Sequence, residues 1–569
     1  MGETLIPSEE HQLFPQTELR SPETVMRLKR MGSFFPTRLS FLRSLLRDLA
    51  KQNAQPACVE MALDEDGYGH VVYKVKLDGH VYSLIAYSSP LDPHNRTDRV
   101  IAEAWDACFV LFDGIPTKAD IEMLGDNAKR QEAGRYNSSV LVLSRANKSV
   151  RLFDHVVEAL AKGQQPDLDN IAATGYLMRT TAVYGNGKFG MADRGDFVDR
   201  PSLSQPFRLE MLTVYMIREF TVDLVNHIAR CRGEDRAVNL DQNVCRNLGI
   251  GNSTGLGMAP FLVGHPILIN NWMMVRETAL ARVRAVQNVS QPLITTFLKL
   301  CGRTRLHLKK WNVDDETEQS RIENLRDDFD DFLEKVPSLL SSKAPWDKVI
   351  KDTGAQSIDL QELVIALVLE PNGNLIDGLT QCMEATVEPK LDPTMSVEDL
   401  RRIIIERYDW ALSLDLRSHH ANAMAWYVSE DKLEPRLGTA NSVNNENQKM
   451  PHQIAHDVQA LAVALENRSN KESVAEFLST ALQYRSIVRR VQTIASHPYG
   501  EVQDNLVAKD VRPIDLLRCK LSFFGASKFD PRSDRWTRIT LYQGAPMAKD
   551  LIENNAGDCF LPALDMESE

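Results

Sequence analysis

Two features are scarce in this sequence: long apolar runs and clustered cysteines. The most apolar stretch, Leu256–Met274, is interrupted by prolines, a histidine and asparagines, so it lacks the roughly 18 successive apolar residues that a membrane-spanning helix needs. The eight cysteines are scattered, and no two have the Cys-x-x-Cys spacing of a zinc or redox motif. We therefore expect reduced, mostly buried thiols and no membrane contact.

The first residues lack a basic segment followed by an apolar one, so we expect no secretory signal and a cytoplasmic protein. Positive charge is in deficit, because 66 Lys and Arg stand against 78 Asp and Glu, for a net charge of −12. That balance disfavours a general nucleic-acid-binding face and leaves only a local basic patch open. The composition, 43% apolar and 25% charged over 569 residues, is ordinary for a globular protein and excludes collagen-like or largely disordered chains.

Hydrophobic periodicity predicts an α+β beginning. Gly69–Ser88 alternates between apolar and polar residues around Asp78-Gly79, which predicts a β-hairpin. Further strands are expected at 107–112 and 139–143, with helices at 35–51, 117–132 and 149–162.

Beyond Pro166 the apolar spacing becomes mainly helical. Helices are predicted at 206–232, 272–287, 292–300 and 320–340, the last with an acidic outer face. Ser396 and Ser473 each begin a capping-box pattern, so helices should start there. Short strands are expected near 521–524 and 536–542.

The predicted fold class is α+β and predominantly α. It comprises a small N-terminal antiparallel sheet domain, a large helical body and short late strands. The predicted divisions are an extended arm (1–23), an α+β domain (24–165), a helical body with glycine-rich loops (166–433), a polar loop (434–450) and a C-terminal helical segment with short β elements packed on the body (451–569).

The segment 248–260 is the most suggestive of a binding site. It has four glycines between positions 249 and 257, and Asn252, Ser253 and Thr254 lie among them. Such a loop can approach a carboxylate or phosphate closely and offer it backbone N–H groups. It is neither a Walker A loop nor a Rossmann fingerprint, because the closing Gly-Lys-Ser/Thr and the third glycine are missing. A tight turn between buried helices is the alternative.

Polar residues follow directly. His265, Asn270 and Asn271 lie in an apolar run, where amides must find partners or face a polar cavity. They indicate either a pocket wall or a self-satisfied core.

Two further clusters carry cations beside turn residues. Tyr184–Gly190 contains Asn186 and Lys188, and Ser144–Ser149 contains Arg145 and Lys148. Each is compatible with anion binding, and each is also compatible with an exposed turn.

His497, close to Tyr499 and Glu501, is a candidate for general acid–base chemistry, although a lone histidine is more often structural. The pair His452 and His456 lacks the Glu of a zinc helix, so no metal site is predicted. No cofactor is assigned.

Together these clusters predict an enzyme acting on a small anionic metabolite. The ligand would bind through Arg145, Lys148, Asn186, Asn252, Ser253, Thr254, Asn270 and Asn271, and Lys188, His265 and His497 would carry the chemistry. Elimination, hydrolysis and group transfer all remain open. The alternatives are a non-catalytic helical scaffold or binding protein and, third, a nucleotide- or RNA-associated protein. Homo-oligomerisation is left open.

Overall fold

A computed structural model describes residues 19–33, 37–92, 94, 104–127, 138–185, 199–252, 265–313, 316–383, 390–417, 424–428, 435–439, 447–448, 450–503, 515, 518–519, 522–533 and 536–551. The α-helices in these ranges are α1 Pro22–Val25, α2 Leu28–Met31, α3 Phe41–Lys51, α4 Lys118–Asn127, α5 Phe153–Ala161, α6 Leu168–Thr174, α7 Pro201–Ser204, α8 Arg208–Gly233, α9 Gln242–Asn247, α10 Pro266–Arg284, α11 Gln291–Lys310, α12 Glu316–Leu340, α13 Pro345–Asp352, α14 Ile358–Leu369, α15 Gly373–Ile376, α16 Val397–Arg407, α17 Asp409–Leu412, α18 Met450–Leu465, α19 Val474–Thr480 and α20 Arg485–Ser496.

The strands are β1 Ala57–Leu63, β2 Gly69–Leu77, β3 His80–Ser88, β4 Ala107–Asp113, β5 Val140–Lys148, β6 Tyr176–Gly185, β7 Gly249–Asn252, β8 Met424–Val428, β9 Pro435–Thr439, β10 Asn447–Gln448, β11 Ala526–Ser533 and β12 Trp536–Leu541. Nine of them form one sheet in the order β1-β2-β3-β4-β5-β6-β7-β12-β11. Its neighbouring strands are antiparallel except β6 and β7, which are parallel.

The predicted hairpin is confirmed. Leu77 of β2 pairs with His80 of β3 across the Asp78-Gly79 turn. Both turn residues have positive φ, 52° for Asp78 and 80° for Gly79, as the favoured two-residue hairpin turn requires.

The chain is predominantly helical with a sheet, as the α+β prediction states, but the sheet is larger than predicted. Strand β6 continues it beyond residue 165, and the late strands β11 and β12 join the early ones through β7. Pairing between strands hundreds of residues apart leaves no trace in local periodicity, so the sequence analysis did not detect it.

Contacts divide the chain into two compact units, each assembled from three segments. Unit 1 comprises Met1–Ser33, His265–Ser413 and Asp457–Asp504. Unit 2 comprises Phe34–Gly264, Leu414–His456 and Asn505–Glu569 and contains the large sheet.

In unit 2 the long helix α8 covers one face of the sheet. The ring of Phe220 packs edge-on against Phe109 of β4 with centroids 5.5 Å apart, and Thr221 contacts the sulfur of Met178 on β6. Helix α4 covers part of the opposite face, where Ile121 and Leu124 join a buried cluster of strand residues. Both faces of the central strands therefore contribute to the hydrophobic core.

Arg218 of α8 ties two distant segments of unit 2 together. Its guanidinium donates hydrogen bonds to the carbonyl oxygens of Leu248 (2.7 Å) and Cys245 (3.0 Å), just before β7. It also donates to those of Ala545 (2.9 Å) and Pro546 (3.2 Å), just after β12. Because Arg218 is 1% exposed, its guanidinium makes these hydrogen bonds in place of hydrogen bonds to water.

Unit 1 is helical in its described part, and several sequence predictions hold there. Helices α11 and α12 pack against each other, and both contact α14. Ser473 forms the predicted capping box with Glu476 at the start of α19. The side chain of Ser396 caps α16 by accepting from the backbone N–H of Asp399.

Two local predictions differ from the structure. Ser522 and Phe523 are helical, and the strand expected there begins later, at Ala526. The polar segment 434–450 contains β9 and β10, which flank β8 in a three-stranded sheet. Of the described cysteines, Cys108, Cys245, Cys301 and Cys519 are buried thiols. In the described ranges, no helix combines the length and apolar character needed to cross a membrane.

Candidate functional site

Arg145 and Arg179 lie on one face of neighbouring strands near the centre of the large sheet. Asn147 of β5 pairs with Arg179 of β6, and Cys108 of β4 pairs with Arg145. Residues that pair across a sheet share a face, as do residues two apart on one strand. Arg145, Asn147 and Arg179 therefore share a face, and diagonal neighbours of this kind lie about 7–8 Å apart.

This arginine face, defined by Arg145, Asn147 and Arg179, is the one turned away from α8. Phe109 and Met178 contact α8. Phe109 is adjacent in sequence to Cys108, the partner of Arg145, and Met178 is adjacent to Arg179. Successive strand residues point to opposite sides of a sheet, so α8 and the two arginines lie on opposite sides.

Both guanidinium groups belong to side chains that are at least partly buried. That of Arg145 stacks on the indole of Trp105, 4.0 Å from the ring centroid. Arg179 is only 8% exposed. Stacking fixes the plane of a guanidinium while its edge keeps N–H donors in the fork that fits a carboxylate or phosphate.

Gly251 of β7 pairs with Arg179 and lets the next strand approach closely. A Cβ at this position would come within 2.8 Å of the Tyr176 ring, and one at Gly249 would come within 2.2 Å of the Leu541 carbonyl oxygen. Both glycines lie in a strand without positive φ, whereas the sequence analysis placed them in a flexible loop. Here glycine provides space for tight strand packing.

The rest of the predicted anion loops lies at or beyond the ends of β6 and β7. Asn252 is the last residue of β7 and pairs with Thr180. Asn186, Lys188, Ser253 and Thr254 lie outside the described residues. Because β6 and β7 are parallel, each glycine-rich stretch follows a strand that runs in the same direction as the other.

Lys148 lies on the opposite face of β5 from Arg145. It pairs with Met178, and its ammonium group lies 4.9 Å from the ring centroid of Phe153 and 5.6 Å from that of Tyr68. The structure therefore does not bring Arg145 and Lys148 to one side of the sheet.

Four residues predicted for the site belong to unit 1, namely His265, Asn270, Asn271 and His497. His265 immediately precedes α10, and Asn270 and Asn271 lie in its first turns. The side-chain Oδ1 of Asn270 accepts from the backbone N–H of Tyr499 (3.0 Å), and its side-chain Nδ2 donates to Oδ1 of Asn271 (3.2 Å). The structure thus brings the start of α10 against residues 498–500, and Asn270 is satisfied by protein partners.

His497 follows Ser496, the last residue of α20, and precedes residues 498–500. Its Nδ1 lies 2.9 Å from the Ser496 hydroxyl and 3.2 Å from the Thr493 carbonyl oxygen. His265 and His497 thus flank the packing of α10 on residues 498–500. Their placement is compatible with acid–base chemistry and equally with helix capping.

A buried ion network lies in the same unit. Arg20 donates two parallel hydrogen bonds to Glu277, both 2.8 Å, and a third to Glu362 at 2.9 Å. Arg30 and Arg276 also bond to Glu362. Burial alone would raise the pKa of Glu362, but the positive charges of Arg20, Arg276 and Arg30 hold it below its ordinary value. The network fastens residues 19–33 to α10 and α14.

Another group of acidic side chains lies on α8. Burial raises the pKa of Glu219 to about 7, although its hydrogen bond from the Ala548 backbone N–H opposes the rise. Burial also raises the pKa of Asp223, which accepts a 2.6 Å hydrogen bond from the Tyr73 hydroxyl. These groups lie on the α8 side of the sheet and do not belong to the arginine face.

Glu219 gives the protein a stability that depends on pH. Its folded pKa of about 7 exceeds the ordinary 4.5, so the folded state holds a proton between these values. The resulting stabilisation is complete below about pH 4.5 and is lost as the pH rises through 7. Between pH 5 and 8 we expect wild-type unfolding free energy to fall by up to about 3 kcal/mol relative to Glu219→Gln, measured by urea denaturation. Parallel pH curves for the two proteins would refute this assignment.

Sequence reasoning did not select Arg179, Glu219 or the Arg20 network. Arg179 directly follows Tyr176, Leu177 and Met178, and a cation beside such residues was the available signal. The Arg20 network joins three distant segments, and no local pattern reveals it. Across the described ranges, no three His, Cys, Asp or Glu side chains are grouped so as to hold a metal ion.

Comparison of the chain with protein-family models, curated proteins and solved structures found no match.

Proposed function

We propose that this protein is an enzyme acting on a small metabolite that carries a carboxylate or phosphate, and that the arginine face binds this anion. The observation that supports the proposal is the placement of Arg145 and Arg179 on one face of adjacent strands. Guanidinium groups are the side chains best suited to bidentate recognition of such anions.

Electrostatics favours a ligand of this charge. An oxyanion is attracted by both guanidinium groups and can accept hydrogen bonds from their N–H donors. A neutral ligand lacks this attraction.

Of the acid–base candidates, Lys188 belongs to the segment of unit 2 that carries the arginine face, and it keeps this role in the proposal. The roles of His265 and His497, which belong to unit 1, stay predictions from the sequence, and elimination, hydrolysis and group transfer stay open as reaction types. A cytoplasmic location is part of the same proposal, since its substrate would be a cell metabolite.

A thermal-shift panel of carboxylates, phosphates and nucleotides tests the proposed binding. An anion at 100 times its dissociation constant should stabilise the native state by about 2.7 kcal/mol. We expect the stabilisation to fall by about half or more in Arg179→Gln and to persist in Arg200→Gln. Arg200 is a fitting control because it bonds to Asp113 of β4, elsewhere on the same sheet.

A wild-type protein that responds to no anion would contradict the proposal and favour the scaffold function. An undiminished shift in Arg179→Gln would show that the anion binds elsewhere.

A further inference from the structure

Helices α11 and α12 form an antiparallel helical hairpin, one face of which packs against the rest of unit 1. Phe297 of α11 packs on Trp346 of α13 with ring centroids 5.1 Å apart, and both hairpin helices contact α14. Within the hairpin, Arg305 pairs with Asp330 at 2.7 Å, and Arg326 donates to the Leu308 carbonyl oxygen at 2.6 Å. The side of both helices turned away from α14 is exposed.

The outer side of α11 is basic. The helix contains five lysines and arginines and no acidic residue, in a chain whose net charge is −12. Lys299 and Lys309 are exposed on it. Leu298 and Leu306 are also unusually open, at 43% and 55% exposure.

The outer side of α12 has the opposite charge. This helix contains eight acidic and three basic residues, and Glu323, Asp327 and Asp331 form an exposed stripe at intervals of four. In the described part of the chain, Lys299, Lys309, Asp327 and Asp331 belong to no ion pair. The hairpin thus presents adjacent stripes of opposite charge that its own fold does not neutralise.

We propose that two copies of this chain associate through these hairpins, with α11 of each copy lying against α12 of the other. A two-fold axis parallel to the helices produces both contacts at once, and each brings a basic stripe onto an acidic one. The same rotation makes the contacting helices antiparallel, which also aligns their dipoles favourably.

The size of the surface is adequate for a dimer. Helix α11 has 20 residues and is therefore about 30 Å long, and two helices side by side are about 20 Å wide. Such a patch covers about 600 Å² on each copy, or about 1,200 Å² in total, at the lower limit for specific interfaces. A membrane or nucleic acid would satisfy α11 but would be repelled by the neighbouring acidic stripe.

Charge-swap variants test the pairing. Lys299→Glu with Lys309→Glu makes both stripes acidic, and Asp327→Lys with Asp331→Lys makes both basic. By light scattering after size-exclusion chromatography, we expect wild type to have twice the monomer mass. Each double variant should be monomeric at the same concentration, with a dimer dissociation constant raised roughly 100-fold or more. An equimolar mixture of the two variants should regain the doubled mass, because every contact is again between opposite charges.

Lys348→Glu with Lys471→Glu is the matched control, since both lysines are exposed elsewhere in unit 1. It should remain dimeric, and circular dichroism should show that all variants are folded. A monomeric wild type would overturn the proposal, as would variants that stay dimeric or a mixture that stays monomeric. If wild type is monomeric and only the α11 variant loses retention on anionic vesicles or single-stranded RNA, the basic stripe serves that partner instead.

Discussion

Replacing Arg218 by methionine is expected to lower the free energy of unfolding by about 3–5 kcal/mol. Methionine fills part of the space but leaves the buried carbonyl oxygens of Leu248 and Ala545 without their arginine donor. Those of Cys245 and Pro546 each lose one of two donors and keep the Leu248 N–H and the Tyr215 hydroxyl, respectively. An unsatisfied buried polar group costs about 1–3 kcal/mol, and two are created at once. Arg218→Lys should lose less, because it retains the charge and can donate to only some of these oxygens.

Urea denaturation measures this loss, and hydrogen exchange locates it. The backbone N–H groups of Ile250 and Thr540 should exchange faster in Arg218→Met, since the arginine joins the segments that lead into β7 and out of β12. Arg232→Met is the matched control, because Arg232 is exposed on the same helix. A loss below about 1 kcal/mol in Arg218→Met would contradict the role given to Arg218.

Glu362→Gln is expected to destabilise the protein by about 3–5 kcal/mol. The substitution removes the carboxylate that Arg20, Arg30 and Arg276 share and leaves Glu277 alone to balance three guanidinium groups. Because Glu362 is buried, with its side chain 4% exposed, water cannot replace the lost charge. We expect residues 19–33 to become sensitive to proteolysis before the helical body does.

The pH dependence identifies the charge as the cause. The pKa of Glu362 in the folded protein lies below its ordinary 4.5. The ionised carboxylate therefore stabilises the folded protein fully above about pH 4.5, and this stabilisation is lost as the pH falls through the folded pKa. The difference in unfolding free energy between wild type and Glu362→Gln should therefore narrow from pH 5 to pH 3. Glu472→Gln, which breaks a more exposed pair with Arg468, should change stability by less than about 1 kcal/mol. Equal losses in the two variants would contradict the account of the network.

Features determined by neighbouring residues could be predicted from the sequence. The Asp78-Gly79 hairpin depends on two adjacent residues with positive φ, and the capping box at Ser473 depends on a residue three positions later. The long helix α8 follows from a single apolar period of 3.6 residues.

Features determined by distant residues could not be predicted in this way. The parallel pairing of β6 with β7 joins residues some 70 positions apart, and the pairing of β7 with β12 joins residues almost 290 apart. Glycine is common both in loops and where strands pack tightly, so the sequence around Gly251 does not show which of these it forms. The contact with the Tyr176 ring, seen in the structure, shows that Gly251 allows tight strand packing.

The candidate site shows the same limit. The sequence selected Arg145 and Lys148 together because they are close along the chain, but strand alternation places them on opposite faces. Their neighbour Arg179 became a candidate only once the register of β5 and β6 was known.

The most direct test of the account is a calorimetric titration with the anion that gives the largest thermal shift. Wild type, Arg145→Gln, Arg179→Gln and the control Arg200→Gln are compared at one ionic strength. Because a hydrogen bond to a charged group contributes about 1.5–3 kcal/mol, loss of either arginine of the face should raise the dissociation constant by about 10- to 150-fold. Arg200→Gln should bind like wild type. Equal dissociation constants in all four proteins would contradict anion binding at the arginine face.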